Sequence, residues 1–162
     1  AGERAPIWDP LARGVFFGLT LSHRQEHLAR AVLESVAFAL RHVAGELLDG
    51  GARIDQVCVC GGQSLSREWN QIKADVLGVP VAVPRVREAA LAGAAVLAAV
   101  GAGHLPDITA GANQMVRIDE VLVPDPDLHL KYSEVFGVYK RLYPDLADAF
   151  RQLSTVIRAR EE

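Results

Sequence analysis

Residues Val57-Cys58-Val59-Cys60-Gly61-Gly62-Gln63-Ser64-Leu65-Ser66 constrain this chain more than any other stretch, because an apolar run ends in two glycines and passes straight into a helical pattern. Gln56 to Cys60 is β-prone with almost no polar interruption, as expected of a parallel strand buried on both faces. The paired glycines let the backbone turn sharply and come close to a ligand, which a Cβ would obstruct. The helix behind them presents unpaired N–H groups and the positive end of its dipole to the same point. Such a corner suits a phosphate or a purine edge.

The rest of the chain limits what can be built around that corner. With 162 residues, 50% of them hydrophobic, there is material for one sizeable core, so residues 1–162 read as a single domain. Seventeen basic against 20 acidic residues leave a net charge of -3, which gives no electrostatic footprint for nucleic acid or an acidic membrane. Neither is expected as a partner. Cys58 and Cys60 lie two apart on one strand face, cannot easily bridge, and read as buried thiols of a cytosolic protein. The apolar segment Ala89 to Ala102 is too short and too rich in small residues to span a bilayer and reads as a packed helix. The first residues lack a basic region followed by an apolar one, so secretion is not signalled and a cytoplasmic location is expected. The chain starts at Ala1 without Met; Met removal and a start within a longer polypeptide both account for that.

Periodicity gives an alternating order of elements. Gly14 to Thr20 is a β-like run through Val15, Phe16 and Phe17, after which Ser22 reads as an N-cap with Gln25 completing a capping box. Leu28, Val32, Ser35, Ala39, Val43 and Leu47 then recur at helical spacing, and the helix is expected to run to about Asp49, where Gly50-Gly51 stops it. Beyond the glycine corner, Arg67 to Leu77 forms a second helix ended by Gly78. Val79 to Val83 reads as a short strand bounded by Pro80 and Pro84. An alanine-rich helix runs from about Glu88 to Val100, with Gly93 placed to permit close helix packing. Ile108 to Gln114 suggests a short helix, and Met115 to Val123 an edge strand or extended arm. After Pro124-Asp125-Pro126-Asp127, a last helix from about Leu128 to Arg158 sets Tyr132, Phe136, Tyr139 and Tyr143 at spacings of three and four, with Pro144 expected to kink or divide it. The order β-α-β-α-β-α indicates an α/β layered domain.

Other constellations carry less. His23-Arg24-Gln25-Glu26-His27 fits H-x-x-E-H, a zinc-peptidase spacing, but no third ligand accompanies it and a polar helix start explains it as well. His42, His104 and His129 lack partners at metal or triad spacing. Arg30 and Glu34, four apart, make a helix-surface pair. There is neither a Walker phosphate loop nor a G-x-G-x-x-G after a strand.

One further pattern gives the corner a context. Gly14-Val15-Phe16-Phe17-Gly18-Leu19, then seven residues, then His27-Leu28-Ala29-Arg30-Ala31-Val32-Leu33-Glu34 resembles, position for position, the second signature of the FGGY carbohydrate kinase family. Gly2 to Pro6 and Asp9 to Gly14 resemble the opening of that family's C-terminal domain, and Trp69 to Leu77 its post-glycine helix. Glu88 to Ala95 is similar to its alanine-glycine helix, and Tyr139 to Pro144 to the closing helix of xylulose kinases. The resemblance covers nearly the whole chain.

It implies a ribonuclease-H-like α/β fold of the actin, sugar-kinase and Hsp70 type, with a sheet flanked by helices and a long C-terminal helix. It also implies an ATP-binding domain of a kinase that transfers the γ-phosphate of MgATP to a sugar hydroxyl, a pentulose such as xylulose being the first expectation and glycerol, ribulose or gluconate the alternatives. A non-catalytic nucleotide-binding or oligomerisation module on the same fold is the reading from another class. Gly61, Gly62, Gln63, Ser64 and Ser66 match the adenosine side of the family's ATP site, with Ser64 or Ser66 equally placed to serve as an N-cap. The general base, the phosphate loops and most of the Mg2+ site are expected outside this chain, so no catalytic or metal residue is assigned, and the fragment alone should be inactive. The implied partners are ATP, a sugar and an N-terminal domain of the same polypeptide; a homodimer is also compatible. Cys60 and Gln63 depart from the small or acidic residues common there.

Overall fold

The computed structural model describes residues 2–159. They fall into two compact units, one formed by residues up to Arg53 together with those from Asp127 onward, the other by Ile54–Pro126.

The first unit is helical. Helix α1 spans Gln25–Asp49 and helix α5 spans Pro126–Arg158, running unbroken through Pro144. Pro144 thus does not divide the last helix as its chemistry suggested. The two helices meet through aromatic rings: Phe38 lies 5.9, 6.0 and 5.3 Å from Tyr132, Phe136 and Tyr139. The helical spacing of the aromatics on α5 therefore serves burial. On α1 burial centres on Ala37 and Phe38, while Val32 and Leu47 from the expected stripe remain about half exposed, at 51% and 53%. Arg30 Nε donates to Glu34 Oε1 at 2.7 Å, and the pair closes on α5 through Tyr132, whose hydroxyl donates to Glu34 at 2.8 Å.

The entry into α1 differs from its sequence signal. Arg24, not Ser22, is the N-cap, because His27 Nδ1 accepts from the Arg24 amide at 3.1 Å. Ser22 is drawn instead into a turn with Thr20, whose hydroxyl lies 2.8 Å from both Ser22 Oγ and His23 Nδ1. His23 precedes the helix that holds His27; the two rings lie 5.5 Å apart, edge to face, and both Nδ1 atoms accept from backbone amides. Gly14 to Thr20 forms no strand. A strand requires a partner for its backbone groups, and among the described residues this run has none; Val15, Phe16 and Phe17 stay 49%, 52% and 68% exposed.

The second unit is built on a three-stranded sheet in the order β1-β2-β3. β1 is Val57–Cys58, β2 is Val81–Pro84 and β3 is Ile118–Leu122; β1 pairs parallel with β2, and β3 pairs antiparallel. Helix α2, Arg67–Leu77, connects β1 to β2 and supplies Ala74 and Leu77 to a core with Val57, Val59, Val81, Val83 and Leu122. Gly78 ends α2 in the left-handed region, φ 73°, where only glycine sits without strain. β2, central and covered on both sides, is buried at every residue.

β1 is shorter and more open than its apolar run suggested. Its backbone ladder extends by one bond, Val59 N to Ala82 O at 3.0 Å. As an edge strand it packs Val57 and Val59 against the core while Cys58 and Cys60 point away and are exposed. The expectation of buried thiols is thereby corrected: one face of this strand has α2 over it and the other has no cover among the described residues.

The alanine-rich helix α3, Ala89–Gly101, packs against α4, Ile108–Met115. Only Val96 of α3 is buried, and Leu91 and Leu97 are 69% and 58% exposed, so most of the expected packed helix faces outward. Close approach is granted by Gly111, where a Cβ would fall 2.7 Å from Val96 Cγ1; Gly93 has nothing within 4 Å.

Candidate functional site

The glycine corner lies at the end of β1. Gly61 adopts φ 70° and ψ -163°, a region that residues with a Cβ avoid. Its N–H donates to the Arg87 carbonyl at 2.7 Å, tying the corner to the segment after β2. Gly62 then opens a single 3-10 turn, Gly62–Leu65, so the strand does not pass straight into α2 as its sequence indicated. The reason is local hydrogen bonding. Both the N–H and the hydroxyl of Ser64 donate to the Gly61 carbonyl, at 3.1 and 2.7 Å, closing the tighter turn first.

A Cβ at Gly61 or Gly62 would meet nothing within 4 Å. These glycines are therefore not demanded by internal packing, and the space before them is open. The N–H groups of Gly62 and Gln63 precede the first hydrogen bond of the turn and so find no acceptor within it. Gln63 is exposed beside them. The arrangement presents backbone donors toward an open corner, which fits an anion or a heterocycle edge.

The remaining expected site residues are placed differently. Ser64 is 3% exposed, with its hydroxyl spent on Gly61. Ser66 is the N-cap of α2, accepting from Trp69 N at 3.2 Å while its hydroxyl donates to Glu68 Oε2 at 3.2 Å. Gly61, Gly62 and Gln63 thus line the open side, Ser64 lies under the turn and Ser66 closes it at the helix start.

The sequence reading missed the polar layer behind the corner. Asn70, Lys73 and Asp75 of α2 are 1%, 0% and 3% exposed. Asp75 Oδ1 accepts from Gln71 Nε2 at 2.8 Å and from Asp125 N at 2.9 Å, anchoring the chain after β3. Burial pulls the Lys73 ammonium below the ordinary lysine range. The signal that would have found them is the helical spacing of Trp69, Asn70 and Lys73, which sets an amide and an amine beside an aromatic on one face.

For magnesium, the Glu68 carboxylate at the corner is already hydrogen-bonded to Ser66. Among the described residues no group of three or more His, Cys, Asp or Glu converges as a metal site. The described residues at the corner do not make a magnesium site. Among the described residues no helix is long and apolar enough to cross a membrane.

Comparison with known proteins places this geometry. The family model for the FGGY family of carbohydrate kinases, C-terminal domain, matches residues 1–102. The chain is similar to the xylulose kinase of Staphylococcus epidermidis, 31% identical over 156 residues that make up 96% of this chain and 32% of that protein. It is similar to the gluconokinase of Bacillus subtilis, 32% identical over 157 residues, 95% of this chain and 30% of that one. The ligand-bound xylulose kinase from Lactobacillus acidophilus superposes with a TM-score of 0.86 at 31% identity, covering 94% of this chain and 31% of that chain. The chain spans about a third of the length of the curated relatives it matches. The fold is the ribonuclease-H-like α/β fold of sugar-kinase C-terminal domains, with the expected small sheet, flanking helices and long final helix. The chain belongs to the FGGY family of carbohydrate kinases, as a part of its C-terminal domain.

Proposed function

We propose that this chain supplies the nucleotide side of an ATP-dependent carbohydrate kinase, with ATP seated at Gly61 and Gly62. The observation that carries the reading is the Gly61-Gly62 turn, with Gly61 in a glycine-only conformation and open space where each Cβ would stand. Gln63 borders the nucleotide on the same side, Ser66 ends the site at the start of α2, and Ser64 shapes the turn from beneath. MgATP brings its own ion. The chain contributes position: it holds the nucleotide so that a γ-phosphate can meet an acceptor hydroxyl, and positioning supplies much of the rate in phosphoryl transfer. The general base and the sugar site belong, on this reading, to an N-terminal domain of the same polypeptide, and the chain alone is inactive as a kinase.

A pentulose such as D-xylulose is the acceptor favoured by the xylulose kinase likeness; gluconate is the second reading, favoured by the gluconokinase of comparable identity. The test is ATP-dependent phosphorylation of D-xylulose, gluconate and glycerol by the polypeptide that carries these residues, alongside ATP titration of the chain itself. ATP binding that is lost in Gly62→Val supports the nucleotide site. No phosphorylation of any of these acceptors would sink the kinase reading, and a Gly62→Val chain with unchanged ATP affinity would sink the site.

A further inference from the structure

Behind the glycine corner is a buried charge that the nucleotide reading leaves unused. Lys73 is 0% exposed, and removing an ammonium from water is unfavourable unless its protons are well placed. Its Nζ lies 4.4 Å from the centre of the Trp69 ring and donates to Asn70 Oδ1 at 3.1 Å. An ammonium can only donate, so it selects the oxygen of the Asn70 amide and leaves the nitrogen on the far side. That nitrogen donates to the Ser64 carbonyl at 3.1 Å. Ser64 in turn donates twice to the Gly61 carbonyl, at 3.1 Å from its N–H and 2.7 Å from its hydroxyl. From Lys73 through Asn70 to Ser64 the path is buried, at 0%, 1% and 3% exposure, so water does not compete for its bonds. It ends on the residue whose backbone is the most constrained of the corner.

We propose that Lys73 and Asn70 are positioning residues of the nucleotide corner: the Lys73 ammonium sets the Asn70 amide, which acts through Ser64 to hold the Gly61-Gly62 turn in its ligand-receiving form. The inference rests on the reading of that corner as the ATP site. A purely structural role would ask only that the space be filled and the ammonium be paired. The positioning role requires the amide nitrogen of Asn70 to face Ser64, and two substitutions separate these demands. Lys73→Met keeps the packing on Trp69 and removes the donor. Asn70→Asp keeps an acceptor for Lys73, adds a charge partner, and removes the donor to Ser64.

The experiment uses the whole chain, with mant-ATP as the probe, ATP as competitor and amide hydrogen exchange over residues 61–66 as a readout independent of nucleotide. Both variants are expected to exchange faster over 61–66, with the sheet amides unchanged, and to bind mant-ATP about tenfold more weakly, the loss of about one well-made hydrogen bond at the turn. The double variant is expected to be no weaker than either single one, because the residues act in series. Unchanged exchange over 61–66 in both variants overturns the positioning role whether or not nucleotide binds. Faster exchange with wild-type mant-ATP affinity overturns its connection to the nucleotide. A Gly62→Val chain that binds mant-ATP as the wild type does overturns the reading of the corner itself, a failure distinct from the other two.

Discussion

Gly61 and Gly62 are adjacent, equally unencumbered and energetically unlike. Gly61 sits at φ 70° and ψ -163°, where a residue with a Cβ is disfavoured by about 1–3 kcal/mol. No steric clash adds to this, since a Cβ there would find nothing within 4 Å. Alanine also stiffens the unfolded chain, which returns about 0.4–1 kcal/mol. Gly61→Ala should therefore lower stability by about 1–2 kcal/mol, near a tenfold change in the folding equilibrium. Gly62 lies inside the 3-10 turn without a positive φ and with the same open space. Gly62→Ala keeps only the unfolded-state gain and should be neutral to about 1 kcal/mol more stable. Both methyl groups enter the corner, so both variants should bind ATP more weakly. Urea unfolding followed by Trp69 fluorescence, in a Trp8→Phe background, reports on the unit that carries the corner. Equal midpoints for the two variants, or a loss confined to Gly62→Ala, would refute the conformational reasoning.

Three other outcomes follow from the packing and the charges. Phe38 is 6% exposed at the centre of the aromatic cluster, so Phe38→Ala should destabilise the helical unit by about 3–5 kcal/mol, measured by loss of helical circular dichroism at lower urea. Burial lowers the pKa of Lys73, so the unfolded chain binds that proton more tightly than the folded one. Wild-type stability should accordingly rise as pH climbs from the folded pKa toward the ordinary lysine value, and Lys73→Met should abolish that rise, as read from melting temperatures at stepped pH. Asp9 is held below its ordinary pKa first by the Leu11 amide and then by the Tyr143 hydroxyl. Its contribution is present above roughly pH 4 and lost as pH falls through the folded pKa, so Asp9→Asn should flatten the acid limb of the stability profile.

The elements that were legible in the sequence share one property: their signals are local. Ser66 caps α2 and Gly78 ends it because a hydroxyl and a left-handed residue act on amides within one turn. β2 between Pro80 and Pro84, the short helix α4 and the Arg30–Glu34 pair are local in the same way. The family signature was legible too, because it is a linear pattern of residues. Where the reading failed, the deciding partner was missing in space or a competing neighbour took the bond. Val15, Phe16 and Phe17 have strand chemistry but no strand beside them among the described residues, and Cys58 has an apolar neighbourhood in sequence but an uncovered face in space. Ser22 lost its cap to His27, which bonds the Arg24 amide.

The glycine corner shows the division most clearly. Sequence alone determined that the chain bends there without side chains, since two glycines after an apolar run permit little else, and the linear signature determined the family. Tertiary structure decided which atoms are free. It turned the Ser64 hydroxyl onto the Gly61 carbonyl, left Gly62 and Gln63 exposed, and placed Lys73 and Asn70 underneath. A hydrogen bond has one direction and a limited number of partners, and which partner wins depends on distances that the order of residues does not contain.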